Sequence, residues 1–361
     1  MNKRVLYITK YFDDSITIGY RHSNIIKYSK PFLDIDLLNF ESAKKKITFF
    51  QKVLNKLFIY PDLYYFNLFK YKRQIRKKLI QSNYDIVIIG VLPFSFLNLA
   101  SFIKQQQPNL KVIIDMSDPL TANVSYINDT FFHRRFISWY EQKHFKNIDI
   151  LIVLNEEIKE YYQKKYSFIK SILVLEQGTN PLIINDIEEK KSNILEVIYA
   201  GMFYKKVREP FQLYNAIVQY SGNIRLSVYG SFKKIFLPPI NERFYYAGYV
   251  DREVVNNKTL ESDIIVFLDN FFGLQIPGKI LDCLATKKPI LFVFENEQSP
   301  TLKYVKDFEG VFYSKNNAKE IIKQLEEIAL SIDHKYNRDL TKYYWENLVN
   351  EKLLSNSFFV N

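Results

Sequence analysis

DIIVFLDNFFGLQIPGKILDCLATKKPILFVF, residues 263–294, reads as a strand, a loop, one short helix and a second strand. Its ends, 263–268 and 289–294, are short apolar runs rich in Ile, Val and Phe, the pattern of strands buried on both faces of a parallel sheet. Pro277 and Gly278 stand where the helix should begin, because proline suits a first helical turn and glycine lets backbone come close to a ligand. Lys279 and Asp282 are three apart and share one helical face, while Ile280, Leu281 and Leu284 turn to the core. In an open α/β sheet such a helix starts at the carboxyl edge of the strands, where backbone N–H groups and the helix dipole favour an anion. A lysine at that place points to phosphate.

The run IPGKILDCLATKKPIL, residues 276–291, resembles the donor-binding signature of nucleotide-sugar glycosyltransferases with the GT-B architecture. It is most similar to family-4-like enzymes (glycosyl transferases group 1) that carry a Pro-small-Lys variant. In that family a carboxylate seven residues before the closing proline hydrogen-bonds the donor ribose, and Asp282 holds that place relative to Pro289. The chain departs from the pattern twice. Leu274 stands where most members have a second acid, and Lys287 replaces the glycine of the A-x-G-x-P tail. The resemblance implies an α/β fold of two Rossmann-like β/α/β domains, with parallel sheets facing across a cleft and a C-terminal helix that crosses back to the first domain. Residues 1–182 with the helix 340–361 would form the acceptor domain, and 192–335 the donor domain.

A length of 361 residues suits two cores of ordinary size. With 47% hydrophobic residues, the chain is far from a disordered composition. A lone Cys283 excludes a disulfide framework, and His22, His133, His144 and His334 have no metal-ligand spacing, so no structural metal is expected. The first residues, MNKRVLYITKYF, enter a strand pattern at once and lack an apolar stretch of signal-peptide length. The most apolar long window, 86–103, contains Gly90, Pro93 and Asn98, and so reads as strand, turn and helix rather than a membrane span. A cytoplasmic protein is expected.

The net charge of +11 is concentrated: residues 41–81 hold eleven Lys and Arg against two acids, Glu41 and Asp62, interleaved with aromatics such as Phe49, Phe58, Tyr65 and Phe69. Basic residues among aromatics suit peripheral contact with an anionic membrane, although a pair of amphipathic helices with solvated basic faces reads the same way. No nucleic-acid-binding fold is signalled, so nucleic acid is not an expected partner.

Along the chain, strand-like runs at 4–9, 34–38, 84–90, 111–115, 149–154 and 171–175 alternate with helical stretches, and so do runs at 195–200, 225–229, 244–247, 263–268, 289–294 and 310–313. The first βα turn has no G-x-G-x-x-G, which argues against a dinucleotide oxidoreductase. In GT-B enzymes the corresponding turn lines the cleft, which makes Asp13, Asp14, Gly19 and Arg21 candidates for contact with the reacting sugar. IIDMSDPL, 113–120, resembles a DxxDP element of some family-4-like sequences. Asp118 within it reads either as an acid that takes the acceptor hydroxyl's proton or as a turn or helix cap before Pro119. Asp13 and Asp118 are therefore the candidate catalytic acids.

LEQGTNP, 175–181, resembles the P-N-G-x-D element that ends the first domain of such enzymes, and the polar run 187–193 reads as the linker. After the strand 195–200, Gly201 leaves room for a diphosphate, and Lys206 and Arg208 are the cations chosen to neutralise it. Gly230 and Tyr249 follow two later strands, where the resemblance places the nucleotide base. With Gly278, Lys279 and Asp282 they complete the candidate donor site. The chain has only 10 Gly, yet Gly201, Gly230, Gly248, Gly273 and Gly278 all fall in predicted carboxyl-edge loops.

The expected activity is therefore hexosyl transfer from a nucleotide-diphosphate sugar to a glycan or lipid-linked acceptor, with no cofactor or metal. High Ile, Lys, Asn and Tyr usage associates the chain with AT-rich bacteria and surface polysaccharide synthesis. The alternative is a GT-B protein without catalysis that serves as a partner in a membrane-associated glycan assembly complex.

Overall fold

The computed structural model describes residues 2–14, 16–40, 48, 61–122, 131–181, 193–332 and 334–359. The chain forms two compact units, Met1–Gly178 with Lys342–Asn361, and Thr179–Thr341. Of the linker run 187–193, only Asn193 lies among the described residues.

Unit 1 is built on six parallel strands: β1 (Arg4–Thr9), β2 (Asp34–Asn39), β3 (Ile86–Gly90), β4 (Lys111–Asp115), β5 (Ile150–Val153) and β6 (Ile172–Val174). They lie in the order β2-β1-β3-β4-β5-β6. Val5 pairs with Ile35 on one side and Ile86 on the other, and every residue of β3 is buried. Branched side chains covered on both faces explain the unbroken apolar runs. The helices are α1 (Thr17–Ser29), α2 (Leu68–Gln81), α3 (Leu97–Gln106), α4 (Phe131–Phe145) and α5 (Glu156–Lys165). Right-handed crossovers toward β2 and toward β6 leave the sheet on opposite faces. Accordingly α1 packs against the C-terminal segment, while α3 packs against both α2 and α4.

Unit 2 repeats the plan with β7 (Leu195–Ala200), β8 (Ile224–Tyr229), β9 (Phe244–Gly248), β10 (Ile264–Leu268), β11 (Ile290–Phe294) and β12 (Val311–Lys315). All are parallel, in the order β12-β11-β10-β7-β8-β9. Its helices are α6 (Phe211–Gln219), α7 (Arg252–Glu261), α8 (Lys279–Leu284), α9 (Pro300–Val305) and α10 (Ala318–Ala329). Counting from its first strand, unit 2 has the doubly wound Rossmann order, with the strand order reversing between β7 and β10. In unit 1 the reversal falls between β1 and β3.

The tail differs from the continuous helix read over 340–361. Residues Trp345–Leu348 form a short helix, α11, which continues into a wide turn at Val349–Leu354. Beyond it, Ser355, Asn356 and Ser357 favour side-chain bonds to nearby backbone over helix; the Ser355 hydroxyl donates to Glu351 O and the Asn356 side chain accepts from Phe358 N. Trp345 is fully buried in unit 1, with its ring edge-on to Tyr20 and beneath the Arg21 guanidinium. A side chain at Gly178 would place its Cβ 2.5 Å from the Trp345 ring, so the indole takes the space that glycine leaves.

Candidate functional site

The carboxyl edge of unit 2 gathers most of the residues singled out in the sequence. After β7 the chain makes a tight loop in which Tyr204 and Arg208 pair backbone to backbone, Tyr204 N to Arg208 O and Arg208 N to Tyr204 O, both at 2.9 Å. Lys206 sits at the tip of that loop, exposed, with a left-handed backbone (φ 64°) and its N–H on the Glu209 carboxylate at 2.7 Å. Arg208 at the base points back over the sheet, where Nη2 donates to Asn270 Oδ1 at 2.7 Å. Val207 O accepts from Phe271 N at 2.7 Å. The loops after β7 and β10 are thus tied together at the point where the strand order reverses, the crevice in which open α/β sheets bind ligands. Of the two cations chosen from sequence, Arg208 lies at this crevice and Lys206 stands out in solvent.

The glycines stitch the same edge. Gly201 N donates to Tyr229 O at 2.9 Å, and Gly230 N to Gly248 O at 2.8 Å. Gly230 has φ +143°, and a Cβ there would lie 1.9 Å from Gly201 O, so no other residue fits without moving backbone. Gly278 has an ordinary helical φ of −56°; its conformation makes no demand for glycine. Tyr249 follows Gly248 and is 69% exposed.

On α8, Ile280, Leu281, Cys283 and Leu284 are buried, which turns Lys279 and Asp282 outward, both half-buried. Asp282 receives Arg252 Nη2 on both oxygens, at 3.1 and 3.3 Å. Burial raises the Asp282 pKa, and Arg252 and Lys279 oppose that. Lys279 has no hydrogen-bond or ion-pair partner among the described residues. Burial lowers its pKa; the Cys283 thiol and Asp282 work against that shift, while Arg208 and Arg252 add to it. Two cations, Arg252 and Lys279, therefore flank one carboxylate; Arg252 holds both its oxygens, and the Lys279 ammonium has no hydrogen-bonded counter-charge among the described residues.

Sequence reasoning missed several partners here. Arg252, at the start of α7, and Asn270, just past β10, reach the site through strand order alone. Asp269, which closes β10, is 1% exposed and receives the Ser299 hydroxyl, while Ser299 caps α9 through Thr301 N at 3.1 Å. Burial raises the pKa of Asp269 and that hydroxyl opposes it. The Ser299-Pro300 pair at the start of α9, cap and first helical residue, is the available sequence signal for this clamp. Arg338 donates to the carbonyls of Leu284, Thr286, Lys288, Glu309 and Gly310, fixing the far end of α8.

In unit 1 the sequence candidates separate. Asp13 is exposed in the loop after β1, and its carbonyl accepts from Ile16 N at 3.1 Å. Asp118 is half-buried in the turn after β4. Both lie at the carboxyl edge of the sheet, with β3 between their strands. Arg21, expected in the sugar-facing turn, is instead fully buried: it donates to both Asp115 oxygens (2.9–3.2 Å) and to the carbonyls of Leu175 and Glu176. Its place on the inner face of α1, over the Trp345 ring, turns it from solvent to core. His22, one residue on, has Nδ1 2.8 Å from the Tyr7 hydroxyl, and burial lowers its pKa to about 4. Gly90 gives this ring its space, since a Cβ there would lie 2.4 Å from His22 Nε2. The basic stretch 41–81 is described only at residue 48 and over 61–81, where Asp62 caps a 3-10 turn, Leu63–Asn67, ahead of α2.

No family model matches the chain, and no curated protein matches it. Solved structures do. The chain is similar to sucrose-phosphate synthase from Thermosynechococcus elongatus (TM-score 0.63, 12% identity, 97% of this chain and 92% of that one). It is similar to HepE from Anabaena, solved in complex with UDP and glucose (TM-score 0.62, 10% identity, 96% and 94% covered). It is also similar to the lipopolysaccharide outer core galactosyltransferase WaaB (TM-score 0.57, 11% identity, 96% and 97% covered). At these identities the likeness is one of fold. The chain has the GT-B fold, two Rossmann-like domains each on a six-stranded parallel sheet.

Proposed function

We propose that the chain is a glycosyltransferase that holds a nucleotide-diphosphate sugar at the carboxyl edge of unit 2. It passes the sugar, a hexose, to a glycan or lipid-linked acceptor on unit 1, in bacterial surface polysaccharide synthesis. The observation that carries this reading is the Lys279 ammonium: half-buried, without a partner among the described residues, and within electrostatic reach of Arg208 and Arg252. Arg252 and Lys279 share the single Asp282 carboxylate and Arg208 donates to the neutral Asn270 amide, so desolvated positive charge is left over, which costs free energy. A diphosphate supplies the missing charge.

In the reaction the bond between the anomeric carbon and the β-phosphate oxygen breaks, and its electron pair leaves with the nucleoside diphosphate. Lys279 and Arg208 stabilise the negative charge that develops there, the role a metal plays elsewhere, so the reading assigns no metal. The acceptor oxygen bonds to the anomeric carbon, and its proton passes to Asp118 or Asp13 or to the leaving phosphate. Asp282 holds the ribose: an ionised carboxylate has about four lone-pair sites, so it can accept ribose hydroxyls while it keeps Arg252. Gly201, Gly230 and Gly278 offer close backbone, Tyr249 a face for the base, and Lys206 a second-line cation at the loop tip. Among solved neighbours, HepE bound to UDP and glucose supports the donor class.

Replacing Lys279 by Ala should lower donor hydrolysis or transfer by about a hundredfold or more, the scale for losing one charge-stabilising group. Unchanged kinetics would remove Lys279 from the mechanism. Leu274, in the place of a second acid, favours the reading as a non-catalytic GT-B partner protein, for which nucleotide would bind but no sugar would transfer.

A further inference from the structure

We propose that the outer face of unit 1 formed by α2, α3 and α4 docks on an anionic lipid bilayer. The three helices lie side by side, α3 between the others, and Lys72 and Arg76 of α2 reach over the Phe102 ring of α3. Together they carry ten Lys and Arg, of which Lys78 and Lys104 are paired with Asp36 and Asp149 outside the three helices, and a single acid, Glu141. That acid is fully buried and satisfied by the Tyr162 and Tyr166 hydroxyls. The face is basic with no exposed carboxylate of its own.

Its apolar residues point the same way as its charges. On α2 the core side is Leu68, Tyr71, Ile75 and Leu79, and the opposite stripe runs Phe69, Arg73, Arg76, Ile80 at helical spacing. On α4 the outward stripe runs Phe132, Arg135, Trp139, Lys143, with the Lys143 ammonium 4.7 Å from the Trp139 ring centre. Phe69 is 82% exposed, Ile80 and Phe132 78%, Trp139 52%. In water these side chains gain nothing. At a bilayer surface the rings and Ile80 enter the boundary of headgroup and acyl chain while the flanking cations meet lipid phosphates. An aliphatic side chain among the aromatics favours lipid over nucleic acid, whose stacking surfaces use rings and cations. The sequence placed membrane contact in 41–81 alone; α4 lies outside that stretch and extends the face. The proposal does not depend on the donor site.

Flotation with vesicles tests it directly. The full chain should partition onto phosphatidylcholine vesicles containing one third phosphatidylglycerol, stay free of pure phosphatidylcholine, and come off as salt rises. Substituting Arg73 and Lys77 of α2 and Arg135 of α4, all exposed, together by Gln should cut partition about a hundredfold, from about 1 kcal/mol per basic residue near the surface. Phe69→Ser with Phe132→Ser should lower it as well, with circular-dichroism melting unchanged because both rings are exposed. Three outcomes would overturn the proposal: no partition onto anionic vesicles, full partition by the variants, or release of the protein from vesicles by duplex RNA.

Discussion

Lys279 and Asp282 sit on the same face of α8, yet the fold neutralises only one of them. Arg252 reaches Asp282 from the start of α7 with a single nitrogen, Nη2, and so keeps the carboxylate away from the lysine. Without that arginine, Asp282 would turn to the ammonium one helical turn away, and an incoming diphosphate would meet a neutral pair. Arg252→Ala should therefore weaken nucleotide-diphosphate binding by roughly tenfold to a hundredfold, the range for hydrogen bonds to charged groups. Because the pair is half-exposed, stability should change by less than about 1 kcal/mol. Arg252→Lys should recover much of the affinity, since the contact uses one nitrogen rather than a bidentate fork. Calorimetric titration of the three proteins gives the answer; equal affinities for wild type and Arg252→Ala would show that Asp282 needs no holder. Lys279 and Asp282 are legible in the sequence because three-residue spacing beside an apolar run fixes their face. Arg252 is not legible, because it lies 30 residues from Asp282 and only strand pairing brings α7 to α8.

Between elements, the Arg21 to Asp115 pair joins α1, the end of β4 and the segment after β6, and the ring of Trp345 in α11 lies beneath it. Both side chains are 1% exposed. A buried pair adds little net stability, but a broken one leaves a charge in the core. Arg21→Met should cost about 3–5 kcal/mol in urea unfolding, and Arg21→Met combined with Asp115→Leu should recover most of it. A single substitution that costs less than about 1 kcal/mol would contradict this account. Buried strands are legible in the sequence; this pair is not. The central strands β1, β3, β10 and β11 announce themselves as apolar runs because both their faces are covered, whereas β2 (DIDLLN) and β9 (FYYAG), at sheet edges, are partly exposed. Arg21 in YRHSN looks like any polar turn residue, and nothing local tells that α1 turns it inward. The tail misleads in the same way: its aromatics suit a long helix, but the helical part ends at Leu354, ahead of Ser355, Asn356 and Ser357.

Across the whole molecule, two sheets of six parallel strands follow two related windings, and each sheet reverses its strand order beside the loops that carry the candidate residues. In unit 2 that place holds Arg208, Asn270 and the start of α8; in unit 1 it holds Asp13 and the ring of His22 against Gly90. Sugar transfer as proposed requires that the unit 2 edge bind a nucleoside diphosphate. The most direct measurement is a thermal-shift panel of UDP, GDP, dTDP, CMP and ADP, with and without Mg²⁺, on wild type and Lys279→Ala. At a hundredfold excess over Kd a ligand adds about 2.7 kcal/mol, worth several degrees for a domain of this size. The account predicts that one diphosphate stabilises the wild type, does so equally without Mg²⁺, and loses most of its effect in Lys279→Ala. Melting that no nucleotide shifts, or an equal shift in Lys279→Ala, would contradict it.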